Sequence, residues 1–137
     1  MAIVVRDIEA KAHAWADILG MPVPPITVTD PMSVAHTEYR GQPTSARAKL
    51  AFFRLGQVSL ELIEPIGEPS IWRDQLNQHG ESLHHIAFEV KEMKSRIAFL
   101  ESKDMLLMQR GDYAGGRYAY IGSAAKLGAI LELLERD

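Results

Sequence analysis

The chain opens with a short apolar run followed by an amphipathic stretch. Residues 2–5 are rich in β-branched side chains, which favours a strand. Over residues 8–19 the apolar side chains recur at helical spacing. Asp7 stands where an N-cap is expected, and Gly20 stands where a helix ends. The first twenty residues therefore predict a strand running into a helix.

The remaining pattern alternates strands with two further helices. Residues 21–48 are rich in Pro, Thr, Ser and Gly, and they predict a long loop with one irregular strand near 34–39. Residues 111–116 predict a turn. Strands are expected at 50–55, 58–63, 84–90, 105–108, 118–121 and 129–135, and helices at 71–78 and 93–103.

Two strings in the first half of the chain recur in the second half. Residues 2–8 match residues 87–93 at an offset of 85 in apolar, basic and acidic character, with Val4 against Glu89 as the exception. Residues 60–64 match residues 131–135 at an offset of 71. The first half therefore carries about fourteen extra residues, which the long loop can supply. Each half predicts the order strand–helix–strand–strand–strand, as expected of an internal duplication.

A duplication of this kind predicts an α+β fold. Two paired βαβββ modules would form a curved mixed sheet around a concave cleft able to hold a metal or ligand. We expect one domain over residues 1–137. Its first module covers about 1–67, its connecting helix about 70–79, and its second module about 83–137.

Strand alternation directs one histidine and two acidic side chains to the same side. Glu61 and Glu132 each lie between two leucines, and the repeat makes them equivalent positions. His85 faces the concave side in its strand, whereas Ile86, Phe88 and Val90 suit a side covered by a helix. Taken singly, such a glutamate is more often solvated and such a histidine more often structural. Together they predict a convergent group.

This group suits a borderline divalent cation such as zinc, nickel, cobalt, manganese or iron. Two buried carboxylates without a cation would repel each other. His84 should point away from the group and be packed or hydrogen-bonded. Glu64 and Glu135 lie beyond the strand ends and are expected to be solvated.

Composition excludes several classes of function. The 137 residues are 47% apolar and 24% charged, with a net charge of −3 and no cysteine. The acidic balance argues against a nucleic-acid surface. No apolar run is long enough to span a membrane. The absence of cysteine excludes thiol catalysis and favours the reducing cytoplasm.

Three stretches resemble a known superfamily. They are residues 2–8, the string Leu-His-His-Ile-Ala-Phe-Glu-Val at 83–90, and Leu-Glu-Leu-Leu at 131–134. In their order and spacing they resemble the vicinal oxygen chelate (glyoxalase/bleomycin resistance/dioxygenase) superfamily, and within it the methylmalonyl-CoA epimerases and glyoxalase I (lactoylglutathione lyase). The resemblance covers nearly the whole chain.

The resemblance implies a divalent metal held by four side chains, one from each of four strands. Glu61, His85 and Glu132 match three of these positions. The fourth is a first-strand histidine, and the repeat offset places it one residue before Met1, outside this chain. The epimerases also carry an acid/base carboxylate at the position of Ser45. Gly115 and Gly116 resemble the epimerase pattern too, so these three residues are candidate substrate contacts.

The implied activity is that of an isomerase or lyase. It would abstract a proton next to a carbonyl or thioester through a metal-stabilised enolate, with Glu132 as the base. The expected substrates are acyl-CoA thioesters or glutathione hemithioacetals, and the expected assembly is a homodimer. Two alternatives remain open: a non-catalytic small-molecule-binding protein of the bleomycin-resistance type, and a relative of the ring-cleaving dioxygenases.

Overall fold

The structure is a computed structural model that describes residues 1–137, and it contains ten strands and five helices. The chain forms two compact units. The first unit is Met1–Thr29 with Ala46–His84, and the second is Asp30–Ser45 with His85–Asp137. No helix has both the length and the apolar character needed to cross a membrane.

The elements alternate along the chain much as the pattern predicts. The strands are β1 Ala2–Val4, β2 Thr27–Val28, β3 Glu38–Tyr39, β4 Gln42–Pro43, β5 Arg47–Arg54, β6 Ser59–Ile66, β7 Ser82–Glu89, β8 Leu107–Tyr113, β9 Gly116–Ile121 and β10 Ile130–Arg136. The helices are α1 Ile8–Leu19, α2 Met32–Ala35, α3 Ile71–His79, α4 Met93–Glu101 and α5 Ala124–Leu127.

The first unit has strand order β2-β5-β6-β1. Strand β1 runs parallel to β6, whereas β5 and β2 are antiparallel additions. Helix α1 begins where Asp7 accepts a hydrogen bond from the backbone of Ala10, and it ends at Gly20 with φ of 61°. The helix buries one face on the sheet, and the buried core is Val5, Ile8, Ala12, Ala16, Ala51, Phe53, Leu60 and Leu62. Each large apolar side chain buried in this way stabilises the fold by about 1.5–3 kcal/mol.

The second unit repeats this arrangement and extends it. Its strand order is β7-β10-β9-β8-β3-β4, with β7 parallel to β10. Helix α4 covers the apolar side of β8, β9 and β10. The buried core there is Met93, Met105, Ala119, Ile121 and Leu133. The predicted α+β class and the two βαβββ modules are confirmed.

The strand registers establish the duplication independently of the sequence strings. In the first unit Ala2 of β1 lies opposite Glu61 of β6. In the second unit Ala87 of β7 lies opposite Glu132 of β10. These are the pairs that the two sequence offsets make equivalent. Glu61 and Glu132 therefore occupy the same position in their respective modules.

In each unit, a carboxylate near the end of the last strand of the module, β6 or β10, anchors the first turn of the module's helix, α1 or α4. Glu64 Oε2 accepts a hydrogen bond of 3.1 Å from the backbone N–H of Ile8, and Glu135 Oε1 accepts one of 3.3 Å from that of Met93. Each carboxylate also satisfies a backbone donor that a helix start leaves open. The expectation that Glu64 and Glu135 are solvated is therefore wrong.

A basic side chain from the adjacent strand completes this anchor in both units. Lys49 lies 3.7 Å from Glu64, and Arg117 lies 2.8 Å from Glu135. Lys49 is opposite Glu64 in the register of β5 and β6, and Arg117 is opposite Glu135 in that of β9 and β10. The two modules thus fix strand, helix and neighbouring strand by the same contacts.

Two segments differ from the sequence expectation. Residues 30–45, assigned by sequence to the loop of the first module, belong to the second unit, because β3 pairs with β8. The backbone N–H of Arg40 adds a 2.7 Å hydrogen bond to the carbonyl of Met108. Strand β8 continues to Tyr113 through the predicted turn, because β9 supplies it with antiparallel hydrogen bonds.

The expectation that helix packing covers Ile86 and Phe88 is wrong. They are 41% and 52% exposed, although they lie opposite Leu131 and Leu133 of β10. Helix α4 lies over β8, β9 and β10, and its core includes no side chain of β7. Val90, which follows β7, does pack against this core.

The anchor of α4 predicts a pH-dependent contribution to stability. Burial raises the pKa of Glu135, but hydrogen bonds from Arg117 and from the backbone N–H of Met93 outweigh burial and lower it overall. A lowered pKa stabilises the folded state above the unfolded-state pKa, and this stabilisation is lost as pH falls through the folded-state value. Glu135→Gln should therefore be less stable than wild type near pH 7, and the difference should shrink near pH 3 in urea unfolding. Glu89→Gln, on an exposed surface pair, is the control. An equal deficit at both pH values would contradict the anchor.

Candidate metal centre

His85 and Glu132 form a buried polar pair in the second unit. The Nε2 atom of His85 lies 3.0 Å from Oε2 of Glu132, and the side chains are 1% and 8% exposed. Parallel pairing of β7 with β10 sets this contact, because His85 lies opposite Ile130, two residues before Glu132. Burying such groups is unfavourable unless each has a polar partner. These two members of the predicted group thus lie side by side within this unit.

An aromatic ring limits the movement of the imidazole. Tyr120 lies opposite Glu132 in the register of β9 and β10, and it is 2% exposed. Its ring centroid is 5.1 Å from that of His85, with an interplanar angle of 50°. This packing restricts the rotation of the His85 ring and keeps bulk water from the pair.

The chemistry and the spacing of this pair suit a divalent cation. An imidazole nitrogen and a carboxylate oxygen are common ligands of zinc and of the neighbouring transition metals. Two adjacent ligands on one such ion lie roughly 2.8–3.6 Å apart, from octahedral to tetrahedral angles, given ligand distances of about 2.0–2.2 Å. The 3.0 Å separation of His85 and Glu132 falls in this range. The two side chains therefore fit two positions of a metal centre with little rearrangement.

Glu61 holds the corresponding position in the first unit. It is partly buried on β6, opposite Phe52 of β5 and Ala2 of β1. Glu132 has Tyr120 and Ala87 in the equivalent places. The two glutamates are thus presented by the same backbone geometry, with Phe52 replaced by a tyrosine in the second unit.

The other three candidate site residues are Ser45, Gly115 and Gly116. Ser45 is exposed and follows β4. Gly115 has a φ of 90° in the turn between β8 and β9, and a Cβ on Gly116 would lie 2.5 Å from the carbonyl oxygen of Glu135. Gly116 is four residues from Tyr120, roughly 13 Å along the strand. Turn geometry and close packing account for both glycines, and their contact with substrate stays a prediction.

His84, adjacent to the pair in sequence, is buried in the first unit, where it is 3% exposed. It was expected to be packed or hydrogen-bonded and to point away from His85, since neighbouring residues of a strand face opposite sides. The observed burial agrees with that expectation. His36, on the segment that β3 brings to the second unit, lies 3.0 Å from Asp112.

Sequence reasoning missed a polar cluster beside the pair. Tyr118 lies on the same side of β9 as Tyr120, and the two ring centroids are 5.2 Å apart. Gln109 of β8 donates a hydrogen bond of 3.4 Å to the Tyr118 hydroxyl, and Thr37 also bonds to that hydroxyl. The alternation of tyrosines with Ala119 is the one signal in the sequence that marks this face.

The arrangement is therefore a module pair with an acidic residue on the last strand of each module and a histidine on β7. The family model of the Glyoxalase/Bleomycin resistance protein/Dioxygenase superfamily matches residues 1–121. The chain belongs to this superfamily, as the resemblance in the sequence implied.

Individual relatives agree with the family. The uncharacterized protein YqjC of Bacillus subtilis (strain 168) is 33% identical over 92 residues, which are 65% of this chain and 66% of that protein's length. The crystal structure of hypothetical protein BH1468 from Bacillus halodurans C-125 matches with a TM-score of 0.68 and 22% identity, covering 99% of this chain and 91% of that one. A variant of Streptomyces coelicolor methylmalonyl-CoA epimerase, in complex with 2-nitronate-propionyl-CoA, matches with a TM-score of 0.61 and 21% identity, covering 98% and 93%. These two structures show a shared fold.

The buried pair predicts a difference between two substitutions of Glu132 in metal-free protein. Glu132→Ala removes the oxygen that accepts from His85 and leaves a cavity, so the free energy of unfolding should fall by about 1–3 kcal/mol. Glu132→Gln keeps an acceptor oxygen and should cost less than about 1 kcal/mol. Urea unfolding with a chelator present measures both. Glu89→Ala, exposed on β7, is the control. Equal effects of the two Glu132 variants would show that the contact with His85 contributes little.

Proposed function

We propose that this protein is a divalent-metal-dependent isomerase or lyase that removes a proton next to a carbonyl or thioester. The observation that carries the proposal is the buried contact of 3.0 Å between His85 and Glu132. A solvated pair would have little chemical consequence, whereas this one is shielded from water and has the donor types that transition metals prefer.

The proposed ligands are Glu61, His85 and Glu132. The donor set of one imidazole and two carboxylates suits a zinc, nickel, cobalt, manganese or iron ion. Support for Glu61 comes from its equivalence to Glu132, since the two registers place both glutamates opposite an alanine of the first strand of their module. With two carboxylates, the formal charge of the occupied site is about zero, so an anionic reaction intermediate is not repelled.

Glu132 is proposed as the general base. A divalent cation bound there supplies Lewis-acid stabilisation for negative charge on a substrate oxygen. The Glu132 carboxylate takes the proton as the substrate C–H bond breaks and then returns it to carbon. Before an ion binds, the contact with His85 holds the carboxylate in place, and Tyr120 packs against the imidazole, so the arrangement of the donor groups is set in advance.

The proposed substrates are acyl-CoA thioesters or glutathione hemithioacetals. Support comes from the superfamily and from the shared fold with methylmalonyl-CoA epimerases, one of which is in complex with a CoA derivative. Both substrate types carry an acidic C–H bond next to a carbonyl, as the proposed chemistry requires. We also propose that the protein acts as a homodimer in the cytoplasm. Relatives of this superfamily often dimerise, and the chain has no cysteine.

Metal binding is the first test. Purified protein should bind about one equivalent of Zn²⁺ or Co²⁺ in calorimetric titration, with proton release as the ligands lose their protons. His85→Ala and Glu132→Ala should each weaken binding by at least about 100-fold, and Glu61→Ala by at least about tenfold. His13→Ala, an exposed helix position, is the matched control. Binding of far less than one equivalent by wild type would favour the small-molecule-binding alternative.

Activity is the second test, read as exchange of the substrate α-proton into deuterated solvent by NMR. Metal-loaded wild type should exchange the α-proton of methylmalonyl-CoA or of the glutathione–methylglyoxal hemithioacetal. Glu132→Gln should slow this exchange by about 10²–10⁴-fold, because the base is lost while the overall shape is kept. A metal-loaded enzyme without exchange on either substrate would contradict the proposed reaction.

A further inference from the structure

Tyr118 lies on the face of the second unit that carries Glu132. It is two residues from Tyr120 on β9, so both side chains project to the same side of the strand. Tyr120 is opposite Glu132 on one neighbouring strand and opposite Gln109 on the other. A row of polar side chains therefore crosses β8, β9 and β10, and Tyr118 occupies the next row.

Gly111 provides the space in which the Tyr118 ring lies. The two residues are opposite each other in the register of β8 and β9. A Cβ at position 111 would lie 2.7 Å from the hydroxyl oxygen and from Cε1 of Tyr118. The ring therefore lies over the glycine, in the space that the Cβ of any other residue at position 111 would occupy.

The hydroxyl of Tyr118 is held from two directions. Gln109 Nε2 donates to it at 3.4 Å, and Thr37 bonds to it from the segment that β3 brings to this unit. Gln109 and Thr37 are 1% and 4% exposed, so both partners are fixed by packing. Burial raises the pKa of Tyr118 to about 12. The phenol therefore stays protonated and can act as a hydrogen-bond donor but not as a base.

Tyr118 also has surface left to contact a ligand, unlike the groups that surround Glu132. His85, Gln109, Tyr120 and Glu132 are all buried, whereas Tyr118 is partly exposed. A molecule that reaches this face therefore meets the Tyr118 side chain before the buried groups.

We propose that Tyr118 binds substrate in the proposed reaction, by hydrogen bonding to an uncharged oxygen of the substrate away from the reacting carbon. This inference rests on the proposed function. Glu132 and Asp112 both place negative charge near the phenol, and a bound cation would offset the charge of Glu132 but not that of Asp112. An anionic group placed against Tyr118 would be repelled, whereas an ester, amide or hydroxyl oxygen would not. Tyr118 thereby selects substrates whose group at this position is neutral.

The test compares Tyr118→Phe with Tyr113→Phe, which alters an exposed tyrosine at the end of β8. Tyr118→Phe should raise KM for the probe that wild type exchanges, methylmalonyl-CoA or the glutathione–methylglyoxal hemithioacetal, by about threefold to tenfold. It should leave kcat within about twofold. Gly111→Ala, which displaces the ring, should raise KM similarly without adding to the effect of Tyr118→Phe. Tyr113→Phe should change neither constant.

A direct readout separates substrate contact from a structural role. In protein labelled with ¹³C at tyrosine Cζ, the chain gives four signals, which the Phe variants assign. The Tyr118 signal should shift when either probe is added to metal-loaded protein, and the Tyr113 signal should not. Metal binding and exchange with an unmoved Tyr118 signal and an unchanged KM would overturn this inference alone. Failure of wild type to bind metal or exchange protons, with the Tyr118 signal unmoved, would overturn the proposed function as well.

Discussion

The contact between His85 and Glu132 places an imidazole and a carboxylate together out of water. A buried polar pair of this kind is a weak source of stability, because desolvation offsets much of the attraction. Apolar side chains of similar volume would pack there at equal or lower free energy. The pair is therefore a weak support for the fold, and the stability of the second unit comes from elsewhere.

That stability comes from a scaffold used twice. In each unit a strand runs into a helix, and the last strand returns parallel to the first. The carboxylates of Glu64 and Glu135 join the end of the last strand to the start of the helix, with Lys49 or Arg117 beside them. Since these contacts lie three residues beyond Glu61 and Glu132, they fix the backbone that presents the acidic side chains. Because the anchors hold the strands, the side chains at positions 61 and 132 are not needed to hold the scaffold together.

The sequence predicts those structural elements whose determinants lie close together along the chain. Asp7 and Gly20 bound α1 as expected from capping and left-handed geometry, and Ser70 caps α3. The equivalence of Glu61 with Glu132 followed from two short strings and the alternation of strand residues. The position of residues 30–45 did not follow, because it depends on pairing between β3 and β8, which lie about seventy residues apart. The contact of Thr37 with Tyr118 depends on that same long-range pairing.

The two modules differ most at the residue that lies opposite the glutamate on the adjacent antiparallel strand. Glu61 lies opposite Phe52, which is 43% exposed, whereas Glu132 lies opposite Tyr120, which is 2% exposed. A duplicated scaffold thus presents one carboxylate in a partly open setting and the other in a closed one. A base that removes a proton from carbon benefits from exclusion of water, since hydration of the carboxylate competes with its approach to the C–H bond. Under the proposed function, this asymmetry favours Glu132 over Glu61 for proton transfer, even though the same backbone geometry presents both.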